Sequence, residues 1–104
     1  MQAVCIRFFV QEGQRHDGLP IHDWLFKRAH EAGVSGGIVF RASAGYGRHG
    51  LVEDRFFELA GELPQSVEFV AGAEQIRDLI ERVGQAGLGL VYATHEVMLA
   101  VTGR

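Results

Sequence analysis

Residues 18–47 read GLPIHDWLFKRAHEAGVSGGIVFRASAGYG, and the spacing of their apolar positions changes halfway along. In the first half the apolar residues recur at i, i+3, i+4, i+8 and i+11, which is one face of a helix; they are Ile21, Trp24, Leu25, Ala29 and Ala32. Pro20 precedes the first turn and Gly33 follows the last, the usual arrangement at helix ends. The second half alternates from residue 38 to residue 43. The stretch therefore predicts a helix over 21–32 followed by a strand.

The flanking segments extend this pattern in both directions. The runs AVCIRFFV (3–10), LPQSVEFVAG (63–72) and LVYATHEVMLAV (90–101) predict three more strands. Residues 73–83 predict a second amphipathic helix, which Gly84 and Gly87 end. The order β-α-β-β-α-β is that of the ferredoxin-like split βαβ fold. We therefore predict an α+β fold with two helices on one face of a four-stranded antiparallel sheet.

Size and composition limit the classes of protein that the sequence favours. At 104 residues we expect a single domain spanning 1–104. The formal net charge is −3 and the basic residues are scattered, which argues against a nucleic-acid partner. No run is apolar enough for a membrane span, and the start of the chain has no signal-peptide pattern. With one cysteine there is no disulfide framework, so the expected compartment is the cytoplasm.

The face of the sheet away from the helices needs its own explanation. In the usual strand order of this fold the third strand lies between the first and second, which would place Glu68 between Arg7 and Arg41. The same alternation predicts five apolar side chains on this face, namely Phe9, Val39, Val70, Val97 and Leu99. An uncovered apolar face predicts an oligomer interface with Arg7, Arg41 and Glu68 in it. The alternative is that the segment 51–60, as an extended arm, folds over this face.

The string RASAGYGRHG (41–50) matches G-x-G-x-x-G through Gly45, Gly47 and Gly50. A dinucleotide fingerprint also needs a helix directly after it and an acidic residue at the end of a parallel strand. An antiparallel sheet in so short a chain does not provide these, so the Rossmann interpretation fails. Two interpretations stay open for the corner. It is either a hairpin with solvated side chains, or an anion site to which Tyr46, Arg48 and His49 contribute.

Other chemistry has little support in the sequence. Residues 51–60 are compatible with a short helix or an extended arm. His22 and His30 lie two helical turns apart, so we predict no metal site within one chain. Cys5 lies in a predicted strand, where a packed thiol is the common case. No nucleophile or acid–base pair emerges, so we predict that the protein is not an enzyme.

The quoted stretch 18–47, followed by ELPQSVEFV (62–70), resembles the PII-like proteins of domain-of-unknown-function family number 190. The similarity covers nearly the whole chain, and it extends to the wider PII signalling superfamily. In PII proteins a glycine–phenylalanine–glycine–arginine run opens the long T-loop and a leucine–proline pair follows it. Here those motifs are residues 45–48 and 63–64.

The resemblance implies a homotrimer that binds a small anionic effector, such as an adenine nucleotide, in clefts between subunits. It implies that loop 48–62 carries the signal to a protein target. By this carry-over the ligand contacts are the glycine corner and a second glycine loop, namely Gly45, Tyr46, Gly47, Arg48, His49, Gly87 and Gly89. That second loop, GQAGLGL (84–90), lacks the lysine that PII proteins have there. Arg104 of a neighbouring subunit would have to supply the missing positive charge. The alternative function is a trimeric metal-responsive protein resembling the copper-tolerance relatives of this fold.

Overall fold

Four long strands and two helices form the body of the protein in the computed structural model, which describes residues 1–47, 50–53 and 63–103. The elements in chain order are β1 (Gln2–Gln11), β2 (Arg15–His16), β3 (Leu19–Pro20), α1 (Ile21–Glu31), β4 (Gly37–Arg41), β5 (Ala44–Gly47), β6 (Gly50–Glu53), β7 (Pro64–Ala71), α2 (Ala73–Gly84) and β8 (Val91–Met98). Neither described helix is long and apolar enough to cross a membrane.

The main sheet has the strand order β4-β7-β1-β8, and every neighbouring pair is antiparallel. Strand β7 lies between β1 and β4, the position predicted for the third long strand. Both helices pack on the same side of this sheet, against the buried side chains of β1 and β7. The predicted ferredoxin-like α+β fold is confirmed.

The core between the sheet and the helices is built around Phe69 of β7. Its ring makes edge-on contacts with Phe8 of β1, at 6.3 Å between centroids, and with Phe26 of α1, at 5.9 Å. Edge-on aromatic pairs at this spacing are favourable. Leu25 and Leu79 are fully buried on the helix side, one from each helix. The central strands and both helices therefore share one core.

The ends of the two helices are joined by one side chain. Gln75 accepts a hydrogen bond from the Gly72 N–H through Oε1 at 3.0 Å and donates to the Gly33 carbonyl through Nε2 at 2.9 Å. Gly33 has φ +82, the left-handed conformation expected at a helix C-terminus. The start of α2 is thereby fixed to the end of α1.

The assignment of the two faces of β4 from sequence was wrong. The register places Val39 opposite the buried Val67 and Ile38 opposite Glu68, so Val39 and Arg41 face the helix side. Alternation predicts that residues divide between two faces but not which face is inward, and a one-residue shift exchanges them. The predicted contact of Arg41 with Glu68 is therefore wrong as well.

Two short hairpins lie outside the main sheet, and the first of them was not predicted. Strands β2 and β3 pair in the stretch between β1 and α1, and Asp17 at φ +51 and Gly18 at φ +76 form the turn. Strands β5 and β6 pair so that Gly47 lies opposite Gly50. The hairpin interpretation of the glycine corner is thus correct for its backbone. Of the undecided segment 51–60, residues 51–53 are extended, and the rest lies outside the described residues.

Substituting Gly37 tests how tightly β4 packs over Phe69. A Cβ added at Gly37 would lie 2.6 Å from Phe69 Cδ1 and 3.2 Å from Phe26 Cε1, so Gly37→Ala forces the aromatic core to move. We expect a loss of about 1–3 kcal/mol in the free energy of unfolding, measured by urea titration. Gly36→Ala is the matched control, because nothing lies within 4 Å of its added Cβ. Equal stability of the two variants at one protein concentration would contradict this packing.

Candidate functional site

The sheet face away from the helices, called the open face below, carries an exposed apolar row. The registers align one residue from each strand across the sheet, in the order Phe40, Ser66, Phe9, Val91. Phe40 is 50% exposed, Phe9 46% and Val91 66%, and Ile38 in the next row is 58% exposed. Exposed apolar area of this extent is typical of an interaction surface.

A polar pair crosses the middle of the open face. Arg7 lies directly opposite Glu68, and Arg7 Nη2 is 3.7 Å from Glu68 Oε1. Ser66 Oγ donates a hydrogen bond to Glu68 Oε2 at 2.9 Å. The structure thus places Arg7 and Glu68 in contact, as the strand order predicted. Their role in an oligomer interface stays a prediction.

Cys5 lies beside this pair and is buried, with His95 opposite it on β8. Burial raises the pKa of the Cys5 thiol, and the Glu68 carboxylate raises that pKa further, whereas Arg7 opposes both effects. A thiol with a raised pKa is a poor nucleophile near neutral pH. The environment of Cys5 therefore agrees with a packed side chain rather than a reactive one.

A second polar cluster lies at the ends of β1 and β4. Arg41 Nε is 3.1 Å from Glu12 Oε2, and Gln65 Nε2 donates to the same oxygen at 3.4 Å. Gln65 is the buried polar residue of β7, opposite both Arg41 and Val10 in the sheet. Arg41, predicted to sit on the open face, instead neutralises Glu12 at the edge of the helix side.

The segment 43–62, which contains loop 48–62, is closed by two backbone hydrogen bonds next to this cluster. The Ala42 N–H donates to the Pro64 carbonyl at 3.0 Å, and the Glu12 N–H donates to the Leu63 carbonyl at 3.1 Å. Leu63 is fully buried. A Cβ added at Gly45 would lie 2.7 Å from Pro64 Cγ, so glycine is needed there for the backbone to approach the proline ring. The leucine–proline and glycine motifs thus pack against each other.

An open groove of about 680 Å³ runs past this loop base. Its walls come from the end of β1, from Pro64 and from the segment before β8, and the lining residues are Phe9, Val10, Gln11, Glu12, Gly13, Gln14, Pro64, Leu88, Gly89, Leu90 and Val91. Gly13 at φ +91 and Gly89 at φ +67 leave two parts of the wall without side chains. Phe9 and Val91 belong to the groove and to the open face at once, so the groove opens at the edge of that face.

The predicted ligand residues are distributed unevenly around the groove. Gly89 lines it, and Gly45 contacts Pro64, which also lines it. Tyr46 is 89% exposed, and Gly87 at φ +67 lies outside the lining in the same segment as Gly89. Gly47 ends β5 opposite Gly50, whereas Arg48, His49 and Arg104 lie outside the described residues. Whether these residues bind a ligand stays a prediction.

Sequence reasoning missed the polar side of the groove. Gln11, Glu12 and Gln14 follow the apolar part of β1 and line the groove. The available signal was a carboxylate and two amides at the end of a central strand, near both glycine-rich segments. Among the residues that the structure describes, no three histidine, cysteine or acidic side chains converge as a metal site. The metal-responsive alternative stays a prediction.

Comparison with known proteins places the chain in a family. The model of the DUF190 family, described as "Uncharacterized ACR", matches residues 3–98. The chain belongs to the DUF190 family. One DUF190-like relative, a UPF0166 protein of Aquifex aeolicus (strain VF5), is 34% identical over 87 residues, which is 83% of each chain.

Solved structures show that the DUF190 chain has a PII-like fold. A nitrogen regulatory PII-like protein from Thiomonas intermedia K12, CPII, bound to ADP, AMP and bicarbonate, superposes with a TM-score of 0.67 at 14% identity. That alignment covers 93% of this chain and 87% of CPII. The GlnK–ATP complex of B. subtilis gives a TM-score of 0.55 at 12% identity over 92% of this chain and 82% of GlnK. The predicted resemblance to PII-like proteins is confirmed.

Removing the Glu68 charge tests the electrostatics of the open face through Cys5. When the rate of Cys5 alkylation is measured as a function of pH, its midpoint should lie at a higher pH in the folded protein than in the urea-unfolded chain. The reason is that burial and Glu68 both raise the thiol pKa. In Glu68→Gln the midpoint should fall, because one raising charge is lost while Arg7 remains. Glu81→Gln, an exposed change on α2, should leave the midpoint unchanged. An unaltered midpoint in Glu68→Gln would refute the coupling.

Proposed function

We propose that this DUF190 protein is a PII-like regulator without catalytic activity, which assembles as a homotrimer in the cytoplasm and binds a small anionic effector in clefts between its subunits. The observation that carries the proposal is that Phe9 and Val91 line the groove and also lie on the apolar open face. A second subunit packed on that face would border the groove and complete its wall. Effector binding and assembly would then share the same residues.

An adenine nucleotide is the effector that the comparisons favour. CPII is described with ADP and AMP and GlnK with ATP, and both share the fold of this chain. A groove of about 680 Å³ is within the range of small-molecule sites, roughly 300–1,000 Å³. Glycine at positions 13 and 89 lets a ligand approach the backbone closely.

The groove needs positive charge that its described lining does not contain. Glu12 is the ionisable side chain among the described lining residues, and Arg41 already neutralises it. We assign the phosphate contact to Arg48, with His49 beside it and Arg104 contributed by a neighbouring subunit. An arginine fork suits phosphate oxygens. This assignment makes occupancy of the groove depend on the loop that begins at Arg48.

Signal output follows from the position of loop 48–62. The segment 43–62, which contains this loop, is closed at the groove by backbone hydrogen bonds from Ala42 to Pro64 and from Glu12 to Leu63. A bound effector that contacts Arg48 would favour one arrangement of the loop over others, and a protein target that recognises this arrangement would read the signal.

Charge placed on the open face tests the trimer. Wild-type protein at micromolar concentration should scatter light with three times the chain mass, whereas Phe40→Asp should scatter as a monomer, because burying the new carboxylate in the interface is unfavourable. Ala73→Asp adds the same charge at an exposed position on α2 and should stay trimeric. A monomeric wild type would refute the proposal, and so would a Phe40→Asp variant that assembles normally.

Removal of Arg48 tests the effector site. Calorimetric titration with AMP, ADP and ATP should detect binding to the wild type, and Arg48→Ala should weaken it about tenfold or more, the cost of a hydrogen bond to a charged group. Arg77→Ala, an exposed arginine on α2, is the matched control and should bind as the wild type does. Absence of binding across the three nucleotides would count against a nucleotide effector, and an unaffected Arg48→Ala would reject the assigned contact.

A further inference from the structure

We propose that Glu12 selects the sugar of the effector, by accepting a hydrogen bond from a ribose hydroxyl in the groove. This inference rests on the proposed function and deepens it, because it assigns the part of the nucleotide that the β1 side of the groove binds. It starts from an apparent conflict. The groove is proposed for an anionic ligand, yet the ionisable side chain in its described lining is a carboxylate.

The contacts of Glu12 resolve this conflict. Arg41 Nε at 3.1 Å and Gln65 Nε2 at 3.4 Å both reach Oε2. The arginine offsets the negative charge, so the repulsion of an anion nearby is reduced. Oε1 keeps its lone pairs for another donor, and the side chain is 32% exposed. A phosphate at neutral pH offers few or no donors, whereas a hydroxyl group offers one. Glu12 therefore suits the sugar and not the phosphate.

The distribution of apolar and polar lining residues orients the ligand. One wall is apolar and comes mainly from Leu88, Leu90 and Val91, with Phe9 next to it. The other wall carries Gln11, Glu12 and Gln14. A flat base has apolar faces and packs against the first wall, which leaves the hydroxyl-rich sugar against the second. With the base and sugar so placed, the phosphate extends beyond the described lining to the arginine contact proposed above.

Glu12 is also held in place before a ligand arrives. Its N–H is bonded to the Leu63 carbonyl at 3.1 Å, and its carboxylate lies between Arg41 and the buried Gln65. A binding group fixed by its neighbours loses little entropy when the ligand binds, so its hydrogen bond counts more fully toward affinity. A fixed carboxylate is well suited to distinguish a ribose from a deoxyribose.

The test compares nucleotides that differ by one hydroxyl. The dissociation constants of AMP, 2′-deoxy-AMP and 3′-deoxy-AMP are measured with wild-type protein and with Glu12→Met, which keeps the side-chain length but removes the acceptor. For the wild type we expect one deoxy analogue to bind about 10- to 100-fold more weakly than AMP, the size of a hydrogen bond to a charged group. In Glu12→Met the ratio should fall to about threefold or less. A change in the affinity for the phosphate alters the dissociation constants of AMP and of its deoxy analogues by the same factor, so it cancels from this ratio.

Two further variants make the result decisive. Glu12→Asp keeps the charge but withdraws the oxygens by one methylene, so it should also lose most of the discrimination, and it covers the case in which Glu12→Met fails to fold. Glu74→Gln, exposed on α2, should retain the wild-type ratio. Equal binding of AMP and both deoxy analogues to the wild type would overturn the sugar assignment while leaving the effector site intact. Failure of AMP, ADP and ATP alike to bind would overturn the nucleotide site itself and the sugar assignment with it.

Discussion

The antiparallel pairing of β7 between β1 and β4 is the constraint on which the rest of the structure depends. It places Phe69 and Val67 under the helices and Glu68 on the opposite face. Because side chains alternate along a strand, a shift of one residue would expose Phe69 and bury Glu68 without a partner. The core, the polar pair of Glu68 with Arg7 and the apolar row of the open face are all consequences of this single register.

The same register brings the polar cluster of the candidate site together at one end of the sheet. Arg41 at the end of β4 and Gln65 at the start of β7 meet Glu12 just past β1. A ferredoxin-like fold does not require a groove at this place. Here the groove lies where β1 ends, where β7 begins at Pro64 and where the segment before β8 passes, with Gly13 and Gly89 in its lining.

The sequence predicted the elements better than it predicted their relations in space. Periodicity located both helices and the four long strands, and the strand order followed from the known topology of the fold, which correctly paired Arg7 with Glu68. The faces of β4 came out reversed, because Ile38, Phe40 and Val39 are all apolar and alternation alone cannot choose between them. Glu12 was overlooked for another reason. Its neighbours Arg41 and Gln65 are 29 or more positions away along the chain, and only the register brings them together.

The closure of the segment 43–62 also bears on how such a protein can diversify. Hydrogen bonds from Ala42 to Pro64 and from Glu12 to Leu63, with Gly45 packed on the proline ring, close the segment at residues outside loop 48–62. Once the ends are closed, a longer insertion adds little further entropic cost. Loops of different length can therefore be accommodated in this segment while the groove and the sheet stay as they are.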